Sequence, residues 1–222
     1  MAVSYMDFTA NDLQFKANMQ DHLLFKKNDA NYVNELGIEQ LNTIGNMTLL
    51  DIYLSNGNMF EAHYHQNASE LIYCITGSAT VSMINPDTDK LIEVDITPQE
   101  VASIPQGWWH YITATANDTH LLSTFDTPLL QTTFGSQILR IMPKGALAHM
   151  YCLDEETVEA ALDPINATVI IGPPDDCVKG HKDNKNQNKD KQDMNHTPPE
   201  TKAKRTWQPY IPPFPGAYYP ER

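Results

Sequence analysis

Basic charge is what this chain has least of. Its first 177 residues carry six lysines and arginines against 23 aspartates and glutamates, a net of −17. Nucleic acid and anionic membranes each require a positive footprint, so this body is expected to bind neither. A strongly anionic substrate is disfavoured for the same reason, unless a bound metal inverts the local field. Cysteine is also scarce. Three residues, Cys74, Cys152 and Cys177, are too few and odd in number for a disulfide framework, and Cys74 sits in an apolar run as a small core residue. No apolar stretch approaches the roughly 18–20 residues of a membrane span. The N-terminal residues Met1 to Phe8 have neither the basic flank nor the apolar run of a secretory signal. The expectation is a soluble, cytoplasmic protein whose sequons at Asn67 and Asn117 carry no glycan. Glycine-rich phosphate loops, a Ser-His-Asp order and CxxC pairs are absent as well.

What is present divides into four parts. With 222 residues, 41% of them hydrophobic, the chain can bury one domain of about 150 residues plus appendages. Residues 1–36 have only partial apolar periodicity (Leu13, Phe15, Met19, then Leu23-Leu-Phe25) and read as an N-terminal arm. Residues 37–140 read as strand, turn, strand. Ile38–Ile44 leads to a Gly45-Asn46 hairpin signal, then Thr48–Leu54, a segment holding His63 and His65, Glu70–Ile75, Ala79–Ile84, Leu91–Ile96, Val101–Ile104, Trp109–Ala114 and His120–Phe125. Short strands at intervals of about 8–12 residues, separated by Gly, Pro and Asn, indicate an all-β sandwich or barrel. Residues 141–177 change character. Pro143 stands in a first-turn place and Asp154 in an N-cap place with acidic residues behind it, so two short helices are expected outside the barrel.

The remaining residues, 178–222, reverse the charge, with nine basic against five acidic side chains, or +4. A Lys/Asn-rich segment with almost no apolar residue cannot offset its ordering entropy and is expected to be disordered. It ends in Trp207-Gln-Pro-Tyr-Ile-Pro-Pro-Phe-Pro-Gly-Ala-Tyr-Tyr-Pro220, a polyproline-type stretch suited to docking on a protein partner.

Chemistry concentrates between Gly57 and Gly77. Side chains alternate along a strand, so His63 and His65 share one face. Two imidazoles with a carboxylate, Glu70, on the next strand can grip a divalent first-row metal. A third imidazole is expected downstream, and His110 in Pro105-Gln-Gly107-Trp-Trp-His110 is the candidate. His22 and His120 lack partners at ligand spacing, His149 reads as a helix-surface or interface residue, and His181 and His196 lie in the tail.

The spacing Gly57-x5-His63-x-His65-x4-Glu70-x6-Gly77 resembles the first cupin motif at every defining position. Pro105-x-Gly107-x2-His110 resembles the second, with Gln99 in place of its leading glycine and Ala114 in place of its trailing asparagine. The resemblance implies a jelly-roll barrel holding manganese or iron, with nickel, cobalt or zinc as alternatives, through His63, His65, Glu70 and His110. The barrel end at Leu121–Asp126 and the extension from Pro143 to Val158 are similar to oxalate decarboxylase and its germin-like relatives. That resemblance implies an oxidoreductase of dioxygenase or decarboxylase type, acting on a small organic substrate, with dioxygen as a possible co-substrate. It also implies a homodimer, because only one His motif is present, with residues 1–36 as a dimerising arm. Two departures count against oxalate itself. The arginine that holds the substrate carboxylate in oxalate decarboxylase is replaced by Phe60, and the lid that carries an acid there reads Thr127-Pro-Leu-Leu-Gln-Thr-Thr133 here. Phe60, Tyr64, Tyr73, Trp108 and Trp109 suggest an aromatic pocket rim instead. The competing expectation is a non-catalytic metal-binding or assembly module docked through its tail.

Overall fold

Buried and exposed residues take turns along several of the strands. The computed structural model describes residues 8–175 and 177. The chain forms β1 (Leu23–Asn28), β2 (Asn31–Leu36), β3 (Thr48–Leu54), β4 (Met59–His65), β5 (Glu70–Thr76) and β6 (Ala79–Asn85). Next come β7 (Lys90–Ile96), β8 (Val101–Ile104), β9 (His110–Ala114) and β10 (Thr119–Phe125). A short β11 (Thr132–Phe134) precedes three helices, α1 (Gly135–Ile141), α2 (Lys144–Tyr151) and α3 (Glu155–Leu162), and β12 (Ile171–Gly172) follows them. One sheet has the order β1-β2-β3-β10-β5-β8 and the other β11-β4-β9-β6-β7, with β12 added to β4. The ladders are antiparallel, and the two sheets close on a shared core as a jelly-roll barrel, the all-β architecture expected.

β10 shows the rule most cleanly. Thr119, Leu121, Ser123 and Phe125 are buried, while the residues between them are partly exposed. Ile52, Leu54, Ile72, Cys74, Val81, Ile112 and Leu121 fill the interior. Each large aliphatic among them contributes about 1.5–3 kcal/mol through burial. The helices pack outside. Asp154 caps α3 by accepting from the Thr157 N–H at 2.9 Å, as its place in the sequence suggested. No helix among the described residues is long and apolar enough to cross a membrane.

Three expectations change. Residues 23–36 are two strands of the barrel sheet rather than a separate arm, so the sheet begins ahead of residue 37. Asn31 and Asn34 are polar yet buried, which hid the alternation of β2. Lys27 of β1 donates to Asn58 Oδ1 and to the Pro173 carbonyl, each at 2.5 Å, and so ties the hairpin to both β4's entry turn and the C-terminal segment. Residues 38–44 form turns rather than a strand. Their polar side chains bond elsewhere: Gln40 accepts from the Gly37 N–H, and Asn42 bonds the backbone of Asp12 and Gln14. Helix α1 was not anticipated. The expected disorder of residues 178–222, the docking stretch Trp207–Pro220, His181 and His196 lie outside the described residues.

Two of the motif glycine positions differ in kind. Gly77 has φ +73°, and a Cβ there would stand 2.5 Å from Thr119 Oγ1, so neither conformation nor space admits another residue. Gln99, where the second motif has glycine, still adopts φ +76°. A left-handed conformation costs a non-glycine residue about 1–2 kcal/mol, part of which glycine's greater chain entropy would offset. Gln99→Gly should therefore stabilise the fold by about 0.5–1 kcal/mol. Denaturant melts would check it, and a midpoint equal to or below wild type would refute it.

Candidate metal centre

Four side chains from three strands meet inside the barrel. β4 supplies His63 and His65, and β9 supplies His110, which pairs directly across from His63. β5, in the opposite sheet, supplies Glu70 from a position between Phe125 and Ile104. All four side chains are buried, and one ligand atom from each lies within 4.8 Å of the others. The structure thus brings together His63, His65, Glu70 and His110, the four residues the sequence singled out.

The imidazoles are oriented from behind. His63 Nδ1 lies 2.6 Å from the Glu61 carbonyl, and His110 Nδ1 lies 2.9 Å from the Trp108 carbonyl. Both acceptors sit two residues upstream, so each ring is fixed by the backbone just ahead of it. His65 Nδ1 reaches across to β11 instead, 3.0 Å from Thr132 Oγ1 and 3.3 Å from the Gln131 carbonyl. A carbonyl oxygen can only accept, so in each ring the proton resides on Nδ1. That leaves the Nε2 lone pairs turned inward. His110 Nε2 and His65 Nε2 stand 3.0 and 3.4 Å from Glu70 Oε2. His65 Nε2 is buried and makes no hydrogen bond.

Protonation follows from burial. Desolvation holds the His63 imidazole well below its ordinary value of 6.5, with the neighbouring His110 acting in the same direction, so it is neutral. Burial also pushes the Glu70 carboxyl up. The close approach of His110 and His65 outweighs that and holds it well below the usual carboxylate range. Imidazoles backed at Nδ1 and turned with Nε2 toward an ionised carboxylate are what a divalent cation needs from its ligands. The orphaned Nε2 of His65 gains a partner if an ion is held there, so the residues fit the group.

Aromatic rings wall the cluster. The Phe60 ring centroid lies 5.0 Å from that of His63, Phe134 lies 5.5 Å from His63, and Phe125 meets His65 edge-on at 4.8 Å. Phe60 faces inward because of a β-bulge. Phe60 pairs with Ile112 and His63 with His110, so Glu61 and Ala62 together oppose Tyr111 alone. Two residues against one shifts the alternation by a place, and residues three apart come to share the inner face. The other aromatics expected at the rim divide. Trp108 packs against the core, Tyr73 is on the exposed face of β5, and Trp109 lines an outer groove of about 330 Å³ with Leu139, Ile165 and Val169. None of the four cluster residues lines that groove.

Two features lay beyond the sequence reading. Phe125 and Phe134 wall the site from strands whose register no motif gives. His120 pairs with Asp51, Nε2 to Oδ1 at 2.5 Å, and stacks on Tyr53 at 4.1 Å, outside the cluster. Burial and the nearby Asp51 push the Tyr53 hydroxyl up to about 12.

Comparisons with known proteins agree with this architecture. A family model described as cupin matches residues 15–159. Oxalate decarboxylase from Bacillus subtilis is similar at 22% identity and a TM-score of 0.65, over 75% of this chain and 44% of that chain. A structure of the same enzyme from work on its Mn(II) centres matches at 22% identity and TM-score 0.65, over 76% of this chain and 45% of that one. A third, on its substrate-binding mode and reaction specificity, matches at 23% and 0.65, over 73% and 42%. The chain spans less than half the length of these proteins, and at such identity the likeness speaks for the fold alone. No curated protein matches.

The buried imidazole makes stability depend on pH. Below its ordinary value of 6.5 the His63 ring of the unfolded chain takes up a proton that the folded state refuses, so unfolding gains protons. Glu70 adds to this lower down: its depressed carboxyl stabilises the fold above its ordinary 4.5 and loses that contribution on further acidification. The chelator-stripped protein should melt at progressively lower temperature as pH falls from about 7 toward 5. Circular dichroism melts would show it, and a constant midpoint across that range would contradict the neutral buried ring.

Proposed function

Since this chain belongs to the cupin family, we propose that it is a metal-dependent cupin of oxidoreductase type that acts on a small, weakly polar organic substrate. His63, His65, Glu70 and His110 would hold the ion. The observation that carries this reading is the set of three rings whose Nδ1 protons are taken up behind them, so that their lone pairs converge on an ionised carboxylate. Nitrogen and oxygen donors without thiolate suit manganese and iron, and nickel, cobalt and zinc are compatible with the same set. The Mn(II) centres of the similar oxalate decarboxylase support manganese. When bound, such an ion supplies Lewis acidity and a coordination position for dioxygen or an oxygenated substrate.

The chain's own residues then shape what can react. Phe60, Phe125 and Phe134 exclude water and offer no charge to an incoming anion. Among the described residues the one arginine is Arg140, and its guanidinium donates to the Asn166 carbonyl on the outside. The run 127–133 has no carboxylate. Asp126, next to it, accepts from the Ser69 N–H at 2.8 Å. Asn67 pins the same run by donating to Thr127 Oγ1 and the Leu129 carbonyl and accepting from the Gln131 N–H. A dianion as compact as oxalate would therefore lack both a clamp and a proton-handling acid. Diketones, flavonols and weakly polar carboxylic acids fit these walls better. A second reading is favoured by how deeply the ligands lie: a non-catalytic metal-binding or assembly module that docks through residues 207–220.

Metal analysis of protein purified without chelator should find close to one equivalent of manganese or iron, and His65→Ala should abolish it. Under a tenth of an equivalent, with no rebinding, would reject the metal reading. In oxygen-uptake and product assays the loaded protein should turn over a member of the substrate panel while giving little formate from oxalate. Rapid formate production would overturn the argument from Phe60. Full metal with no turnover across the panel would favour the second reading.

A further inference from the structure

We propose that Glu61 is a positioning residue for His63, acting from outside the metal cluster; the inference rests on the metal reading above. Glu61 lies in the bulge of β4, and nearly every polar group it owns is committed. Its Oε1 accepts from the Ser136 hydroxyl at 2.8 Å, the Val169 N–H at 3.1 Å and the Ile170 N–H at 2.7 Å. Its Oε2 accepts from the Ser136 N–H at 3.0 Å. Its own N–H donates to the Ile170 carbonyl at 2.8 Å. The Glu61 carbonyl is left to accept from His63 Nδ1 at 2.6 Å.

Each of these contacts fixes something that the others need. Ile170 has φ +58°, a conformation that a β-branched residue avoids. Both its N–H and its carbonyl are bonded to Glu61, which holds the strained residue in place. Ile171 then pairs with Phe60 on β4, while Ser136 lies in the first turn of α1, just after β11. The bulge is thereby clamped between the start of α1 and residues 169–171. Without the bulge, strict alternation would turn Phe60 away from His63's face, and the Glu61 carbonyl would leave its place behind the ring. Ser136 is buried and the Ser136 hydroxyl also accepts from the Val169 N–H at 3.1 Å, so the clamp has no slack on that side. His110 is oriented by the Trp108 carbonyl just ahead of its strand, and His65 by Gln131 and Thr132. His63 alone depends on this carboxylate.

Glu61→Gln keeps the size and an acceptor for three of the donors but turns an amide NH2 against the fourth. Orienting partners behind a ligand are worth about 10–100-fold in metal affinity. Titration with Co(II), read by its visible absorption, should show about 10-fold weaker binding in Glu61→Gln and an altered band shape. The rise in melting temperature on Co(II) addition should shrink accordingly. A merely structural role predicts something else: a lower melting temperature without metal, with the Co(II) dissociation constant, spectrum and metal-induced rise all as in wild type. That result would overturn the proposal. Should Glu61→Gln not fold, Ser136→Ala removes one hydroxyl from the clamp and carries the same test, with weaker Co(II) binding expected and unchanged binding fatal. If wild-type protein fails to bind Co(II), the metal reading itself falls, an outcome distinct from equal binding by wild type and variant.

Discussion

Three N–H groups pointing away from the barrel centre govern the rest of this structure. Once the Nδ1 proton of each histidine is committed to a backbone carbonyl, the opposite nitrogen must present its lone pair inward. Three lone pairs and one carboxylate in a dry interior repel one another unless a cation sits among them. His65 Nε2, buried and without a hydrogen bond, records that tension directly. The jelly roll resolves the geometry by drawing the donors from both sheets, so that the cluster lies between them rather than on either.

The carbonyls that do this orienting are not equivalent. Those of Glu61 and Trp108 lie two residues ahead of the rings they hold, and so respond to local backbone geometry. The Gln131 carbonyl and the Thr132 hydroxyl belong to the run leading into β11, which Asn67 ties down from the loop after β4. One imidazole is thus held by a surface connection, and any movement of that connection reaches the cluster. The bulge at Glu61 and Ala62 works in the same manner on the other flank. It brings Phe60 to the inner face and places a carbonyl behind His63, and the segment after the helices secures it.

The strands were legible because short strand-favouring runs recur between Gly, Pro and Asn turns. β6 could be marked from period two, and β5 from its β-branched and aromatic content between turn residues. β2 was not, since Asn31 and Asn34 are buried polar residues whose partners, Asn28 and Ser55 among them, only the folded turn reveals. Ile38–Ile44 failed in the opposite direction: its apolar residues suggested a strand, but its amides bond to turns and to residues 12–14. Gln99 shows how motif and backbone can part, because the left-handed turn persists after its glycine has gone.

The sequence by itself determined the four donors, the common face of His63 and His65 on one strand and the barrel that encloses them, because ligand chemistry and strand period are both properties of residue order. It also determined that Phe60 stands where a charged clamp would be expected. Only the tertiary structure decided that Phe60 faces the cluster at all, since strict alternation would place it on the opposite side. Tertiary pairing likewise chose Phe125 and Phe134 as walls, assigned each imidazole its proton, and set Glu61 behind His63. Those outcomes depend on register and on contacts between residues as far apart as Glu61 and Ile170, and no local pattern in the chain encodes them.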